Sequence, residues 1–224
     1  MRGSPVRVRP GALKFGFKNV KSAYLLRDYA LFVYFSSEES HMKIVGNRVI
    51  LRTIEEQDQE MLLSLIKDPE IAKVTGGYSG PISYGHQMNW FRSLPDFPGD
   101  LRGIIADKKH PEIGLGIILL SHGNSQKGAS EIYIKLRKSV RGKGYGQDAI
   151  NVLVSYAFCE LQLNCIYSNI LEYNMASRRL FEKCGFQLEK MDKSRFEQDG
   201  NYAKVCSYKI VSSTWSDRMR KICI

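Results

Sequence analysis

The sequence has no apolar run close to the roughly 20 residues that a membrane-spanning helix needs. Its longest N-terminal apolar stretch, YALFVYF at residues 29–35, is too short for a secretory signal and lacks a convincing cleavage site. These two absences argue against a helical membrane protein and against a secreted one. We therefore expect a cytoplasmic protein with no membrane partner.

Paired cysteines are also lacking. A disulfide framework or a zinc site needs closely paired cysteines, whereas the cysteines here are scattered, odd in number and without a CxxC pair. We expect reduced thiols, most of them buried, and no metal site. The cysteines are Cys159, Cys165, Cys184, Cys206 and Cys223.

Acidic residues are too few to balance the basic ones, because 33 Lys and Arg face 23 Asp and Glu, a formal net charge of +10. Such an excess suits an anionic partner, whether nucleic acid, a membrane surface or a polyphosphate cofactor. A nucleic-acid-binding function has no other support, since the sequence shows no helix-turn-helix, aromatic-rich sheet or Arg-rich helix.

The first 41 residues differ from the rest, since they combine basic residues, Pro and Gly without a sustained hydrophobic period. We expect residues 1–41 to be an N-terminal extension, disordered or artefactual, with Met42 as the functional start. The alternative is a genuine N-terminal strand at residues 29–35. We expect the organised domain at residues 42–212 and a C-terminal tail at residues 213–224.

From residue 42 onward, hydrophobic patterns of period two alternate with patterns of period 3.6, which predicts a mixed α/β layer fold. A T-x-x-E pattern at Thr53 and Glu56 predicts the capping box of the first helix, and Pro69 predicts its end. Strands are predicted at residues 48–53, 101–107, 113–121, 131–137, 165–171, 185–191 and 202–211. Further helices are predicted at residues 84–94, 150–161 and 175–185.

The stretch RGKGYG, residues 141–146, lies between a predicted strand and a predicted helix. Glycines there serve either as a turn or as a phosphate cradle, because bare backbone N–H groups at a helix N-terminus attract anions. The spacing matches neither the P-loop nor the dinucleotide-binding fingerprint. On spacing alone, both functions stay open.

Two motifs in this part of the chain resemble the GNAT superfamily of acyl-CoA N-acyltransferases. Arg141, Gly144 and Gly146 match its [RQ]-x-x-G-x-[GA] signature, and YNMASRRLFEKCGF at residues 173–186 is similar to its second signature. The resemblance spans residues 48–210 and is closest to the branch that acetylates ribosomal-protein N-termini and polyamines. It implies an acetyl-CoA-dependent N-acetyltransferase with a mostly antiparallel twisted sheet, splayed middle strands and flanking helices.

The resemblance also implies how acetyl-CoA binds. The strands at residues 131–137 and 165–171 splay apart around the pantetheine arm, and strand amides near Leu136 polarise the thioester carbonyl. The amides of the glycine stretch hold the pyrophosphate at the positive end of a helix, nearby cations face the 3′-phosphate, and Asn174 binds the pantetheine. For each cation a solvated basic face is the alternative, and for Asn174 a helix N-cap. The expected acetyl-CoA-binding residues are Leu136, Lys138, Arg141, Gly142, Lys143, Gly144, Tyr145, Gly146 and Asn174.

Glu131 and Ser177 are the expected catalytic residues. Glu131 is the only acidic residue on its strand, lies near the position of a general-base glutamate in some family members, and is expected at the end that opens on the acceptor site. Ser177 stands four residues before Phe181, which replaces the tyrosine that protonates the CoA thiolate in many members. The alternatives are a surface carboxylate for Glu131 and closure of the first helical turn for Ser177.

Other side chains are weaker candidates for the acceptor pocket. Trp90 and Tyr133 are expected to line it, with a core position as the alternative for Trp90. His86, His110 and His122 match no family position.

The identity of the acceptor stays open, because a protein N-terminus, a polyamine or a small amine fits the family. A homodimer is also compatible with the family. The net positive charge disfavours a polycation such as spermidine, which suits an acidic site. One alternative function is a catalytically inactive acyl-CoA sensor of the same fold, and another is a basic nucleic-acid-binding protein.

Overall fold

The computed structural model describes residues 7–8, 20–26, 29–35, 42–75, 83–93, 100–121, 128–196 and 202–215. His122, Cys223 and the tail after residue 215 lie outside these ranges.

The strands of the sheet are β1 Arg7–Val8, β2 Val20–Leu26, β3 Tyr29–Phe35, β4 Met42–Val45, β5 Val49–Arg52, β6 Leu101–Asp107, β7 Gly114–Ser121, β8 Ala129–Leu136, β9 Cys165–Leu171, β10 Gln187–Phe196 and β11 Tyr202–Val211. They form one sheet in the order β1-β2-β3-β4-β5-β6-β7-β8-β9-β11-β10. Neighbours are antiparallel except β8 and β9, which are parallel. Residues 29–35 thus form a strand beside β4, and the domain boundaries at residues 42 and 212 stay predictions.

The helices that flank the sheet are α1 Gln59–Ile66, α2 Pro69–Thr75, α3 Tyr84–Arg92, α4 Tyr145–Cys159 and α5 Met175–Lys183. Within the described ranges, none of the helices has the length and apolar character needed to cross a bilayer.

Apolar side chains cover both faces of the sheet. Ile104 and Ile105 follow each other in β6 and are both fully buried, yet they belong to different clusters because side chains alternate between the faces of a strand. The larger cluster packs α4 and α5 against one face, and the smaller one packs α1, α2 and α3 against the other. The predicted mixed α/β layer fold is confirmed.

One local prediction near the start of the domain was wrong. The Thr53 hydroxyl accepts a hydrogen bond from the Met42 N–H at 2.7 Å, and the turn before α1 is capped instead by Asp58, whose carboxylate accepts the Glu55 N–H at 2.9 Å. Pro69 follows the end of α1 as predicted, but it also begins α2, a position where its missing N–H costs nothing.

Candidate active site

The parallel strands β8 and β9 diverge. Within the described strands their pairing runs from Ala129↔Cys165 to Glu131↔Tyr167 and then stops. Beyond that point β8 continues beside β7 and β9 continues beside β11. The resulting gap widens toward Leu136, which is the splay that the family resemblance implies.

The backbone of β8 directs N–H groups into this gap. The Arg137 N–H donates to the Leu115 carbonyl of β7 at 2.9 Å. Because N–H groups alternate between the two edges of a strand, those of Ile134 and Leu136 point the other way. A backbone N–H aimed at a thioester oxygen acts as an oxyanion-hole donor, which is the role expected of Leu136.

The glycine stretch lies directly beyond the open end of β8. Gly142 and Gly144 have φ of 75° and 86°, a region that glycine enters without strain, and α4 begins at Tyr145. The Asp148 N–H donates to the Gly144 carbonyl at 3.1 Å, so the amides before it lack an intrahelical acceptor and face outward with the positive helix end. A Cβ at Gly142 would meet nothing within 4 Å. The cradle is therefore open and fits a pyrophosphate.

Asp148 fixes the position of this cradle, and sequence reasoning missed it. Its carboxylate is buried and accepts three backbone N–H groups of the β4–β5 turn, those of Asn47 (3.3 Å), Arg48 (2.7 Å) and Val49 (3.0 Å). The contact brings the Arg48 side chain to 3.7 Å from where a Gly144 Cβ would lie. The Tyr145 hydroxyl adds a second tie by donating to Asp107 at 2.9 Å.

Two of the cations expected to meet the phosphates are held in ion pairs. Arg141 donates to Glu70 at 3.0 Å and to Asp68 at 3.2 Å, and Lys138 also pairs with Glu70. The Lys138 hydrogen bond is the main cause that lowers the pKa of the Glu70 carboxyl. Lys143 is exposed. Phosphates that bind to Lys138 or Arg141 must therefore displace carboxylates of this cluster.

Helix α2 contacts the segments that follow both diverging strands. Its first turn holds the cations after β8 through the ion pairs just described. Near its other end, the Lys73 carbonyl accepts a hydrogen bond from the Tyr173 hydroxyl at 2.9 Å, and the Val74 carbonyl accepts one from the Asn174 amide at 3.4 Å. The helix thus spans the open end of the gap.

Asn174 is a helix N-cap and Ser177 closes the first helical turn of α5, which are the alternatives that the sequence left open for these two residues. The Asn174 side chain caps α5 by accepting the Ser177 N–H at 3.1 Å. The Ser177 side chain is half-buried. Phe181, one turn later, is 2% exposed and packs edge-on against Phe186 with ring centroids 4.9 Å apart, so this ring belongs to the core.

Glu131 lies at the closed end of the gap, and its place beside the acceptor site stays a prediction. It is the last residue of β8 that pairs with β9, and its carboxylate accepts a hydrogen bond from the Asn169 amide at 3.0 Å. The Asn169 carbonyl in turn accepts the Ser207 hydroxyl at 2.7 Å. Burial, and then the Glu131 charge, raise the pKa of Tyr167. Glu131 and Ser177 are not brought together, because they lie at opposite ends of the free part of β9.

A cavity of about 630 Å³ lies beside β8, on the face of the sheet that carries α1 and α3. Its apolar lining consists of Leu62, Leu65, Ile66, Trp90, Ile117, Leu119 and Ile134. Its polar lining consists of His86, Gln87, Arg102, Tyr133 and Lys135. Trp90 and Tyr133 thus lie where the sequence predicted, although Trp90 also packs against the smaller core cluster. Glu131 is not among the described residues that line the cavity.

The four described cysteines are all at least partly buried. Cys184 and Cys206 are buried, Cys159 and Cys165 are partly buried, and none of these four forms a disulfide. Burial, followed by the charge of Glu160, raises the pKa of Cys159 to about 11. Over the part of the chain that the structure describes, no three His, Cys, Asp or Glu side chains converge as metal ligands do.

Comparison with known proteins identifies the family. Residues 48–187, well over half of the chain, match the family described as "Acetyltransferase (GNAT) domain". The chain therefore belongs to the GNAT acetyltransferase family. The predictions of this family, of its fold with splayed middle strands and of an N-acetyltransferase enzyme are confirmed.

Individual relatives are distant. The spermidine N(1)-acetyltransferase of Vibrio cholerae is 29% identical over 104 residues, 46% of this chain and 60% of that protein. The N-acetyltransferase 9-like protein of Caenorhabditis briggsae is 26% identical over 152 residues, 64% of this chain and 76% of that protein. The crystal structure of the Vibrio cholerae spermidine N-acetyltransferase in complex with CoA and spermine has a TM-score of 0.68 at 23% identity, covering 75% of this chain and 98% of that one. At this identity, the structural likeness shows the fold.

Proposed function

We propose that the protein transfers the acetyl group of acetyl-CoA to a primary amine by direct attack in a ternary complex. The observation that carries the proposal is the continuity of the gap and the cradle. The free edge of β8 leads from Glu131 to the open glycine stretch at the start of α4. The groups of acetyl-CoA follow the same order as the gap and the cradle, because its thioester is followed by the pantetheine arm and then by the pyrophosphate. The Vibrio relatives, named for spermidine acetylation and solved with CoA, support the same chemistry.

In this proposal the cradle binds the phosphates. The amides of Gly142 to Gly146 hold the pyrophosphate at the positive end of the 15-residue α4. Arg48 and Lys143 lie beside or within the stretch and add positive charge. The Asn174 amide, which now donates to the Val74 carbonyl, is available to the pantetheine arm if α2 moves.

The chemistry follows from the free edge of β8. The neutral amine nitrogen forms a bond to the thioester carbon, the C–S bond breaks, and the thiolate leaves and takes up a proton. The Leu136 N–H stabilises the charge that develops on the thioester oxygen. Glu131 accepts the amine proton, directly or through water, and the Ser177 hydroxyl donates to the thiolate.

A thiol-release assay with acetyl-CoA and a panel of amines tests this proposal. The panel includes spermidine, free peptide N-termini, amino acids and aromatic amines. Acceptor-dependent thiol release supports acetyl transfer. An acetyl-CoA-dependent rise in the melting temperature without thiol release from any amine supports the acyl-CoA sensor instead, because binding alone stabilises the native state. No rise and no release would reject both.

A further inference from the structure

The cavity beside β8 exposes the same strand that carries the free amides. It is lined by three consecutive residues, Tyr133 to Lys135. The Ile134 side chain packs against the larger core cluster on the other face, so the cavity meets the strand backbone at this residue. All three residues lie beyond Glu131, the last residue of β8 that pairs with β9. A molecule in the cavity therefore lies next to the place proposed for the thioester.

The charges in this cavity have one sign. Among its described lining residues none is acidic, and Arg102 and Lys135 are cationic. Arg102 donates to Asp100 at 2.9 Å, and Asp100 also accepts the Ser121 hydroxyl at 2.9 Å. Lys135 has no ion pair with any described residue, and burial lowers the pKa of its ammonium group. The cavity thus contains a partly desolvated cation without a described counter-charge.

This arrangement opposes a polycation and favours an acceptor with an anionic group. The ammonium groups of a polyamine would meet Lys135 and apolar walls, where burying a further unpaired charge is costly. A carboxylate placed against Lys135 would instead form a charge-assisted hydrogen bond in surroundings that strengthen it. The volume of about 630 Å³ suits a small molecule with an apolar body.

We infer that the acceptor is a small amine with an apolar or aromatic body and a carboxylate, and that Lys135 binds this carboxylate. The inference rests on the proposed acetyl transfer to an amine. Apolar walls that disfavour the charged form of Lys135 disfavour any bound alkylammonium in the same way. The cavity therefore also promotes the neutral amine that attacks the thioester, and the released proton leaves to Glu131 or to solvent.

The test compares matched acceptors on matched variants. Phenylalanine and phenethylamine share an amine and an aromatic body but differ in the carboxylate, and spermidine represents the polyamines. With the wild-type protein, kcat/KM from thiol release should be at least about tenfold higher for phenylalanine than for either other amine. Lys135→Met should remove this preference by lowering kcat/KM for phenylalanine alone, and Lys135→Arg should keep part of it. Lys204→Met, which removes an exposed positive charge from β11, should change none of the ratios.

A binding measurement separates this inference from the proposed reaction. Calorimetric titration of both aromatic amines into protein saturated with CoA reports the carboxylate preference without turnover, and thermal unfolding of each variant verifies that it folds. Tighter binding of phenylalanine that depends on Lys135, without turnover of any amine, would support the acceptor class and reject acetyl transfer. Turnover of spermidine at an equal or higher kcat/KM than phenylalanine, or a preference that survives in Lys135→Met, would overturn the acceptor class while acetyl transfer stands.

Discussion

Arg141 and Glu70 are 71 residues apart in the sequence, and their side chains meet at 3.0 Å at the open end of the gap between β8 and β9. Arg141 belongs to the family signature that leads into the glycine cradle, whereas Glu70 lies in the first turn of α2. The same carboxylate pairs with Lys138. A cation expected to bind phosphate is therefore held by a carboxylate of this chain, and in the proposed complex acetyl-CoA competes with that carboxylate for it.

Glu70→Gln should tighten acetyl-CoA binding by about two- to fivefold at pH 7 and low salt, because exposed ion pairs contribute modestly and are screened by salt. The pKa of Glu70 is lowered, so its carboxylate is ionised at pH 7, and the ion pairs weaken only as the pH falls through that lowered pKa. Calorimetric titration of acetyl-CoA at two salt concentrations measures the effect.

Glu60→Gln is the matched control, since Glu60 is an exposed residue of α1 and forms no ion pair with a described residue. It removes the same charge without touching Arg141. If both substitutions raise the affinity for acetyl-CoA equally, the gain is due to the change in net charge. If Glu70→Gln weakens acetyl-CoA binding, the ion pair assists binding instead.

Gly144→Ala should abolish most of the stabilisation by acetyl-CoA, because its Cβ enters the cradle beside Arg48 and its φ of 86° is strained for alanine. Gly185→Ala is the control for strain, since Gly185 follows α5 with φ of 93°. Each substitution should lower the free energy of unfolding by about 1–2 kcal/mol. Thermal unfolding with and without acetyl-CoA should show a normal ligand-induced shift for Gly185→Ala alone. Equal ligand-induced shifts in the melting temperature of both variants would show that the glycines of the cradle form only a turn and bind no phosphate.

Glu131→Gln should lower kcat/KM by about a hundredfold where the amine is protonated, at low pH, and should leave acetyl-CoA affinity unchanged. The amide oxygen of glutamine still accepts the Asn169 hydrogen bond, so the substitution removes the base while it keeps the contact. The pH dependence of kcat/KM measures this effect. An unchanged profile would assign Glu131 a structural role at the closed end of the gap.

Ser177→Ala should lower kcat by up to about a hundredfold and leave acetyl-CoA affinity nearly intact, because a proton is needed only as the thiolate forms. Alanine keeps the N–H that Asn174 accepts, so α5 should remain capped and the melting temperature unchanged. Steady-state kinetics and thermal unfolding measure the two effects. A rate equal to that of the parent protein would leave water as the acid.

Adding Phe181→Tyr to Ser177→Ala should not restore the rate. Phe181 packs in the core against Phe186, so a tyrosine hydroxyl there would be buried away from the gap. The substitution should cost about 1–3 kcal/mol of stability. Recovery of activity would place this side chain in the gap after all.

Features that depend on neighbouring residues could be predicted from the amino-acid sequence. Alternating apolar residues predicted β8 and β9, and the RGKGYG stretch predicted a turn or a phosphate cradle between a strand and a helix, because glycine conformation and helix ends are set locally. The same kind of reasoning failed at Thr53, where the pattern of a capping box was present. Its hydroxyl contacts Met42, 11 residues away, and a local pattern does not report such a partner.

Which side chains meet across the site depends on contacts between residues that are far apart in the sequence. The contacts of Asp148 with the β4–β5 turn span about 100 residues, as do those of Tyr173 and Asn174 with α2. The charge of the cavity was equally hidden, because Lys135 and its apolar surroundings come from strands and helices that are distant in the sequence. The residue type of a carboxylate or an ammonium group does not report its environment, because its partner and its solvation depend on the helices and strands that the fold brings beside it.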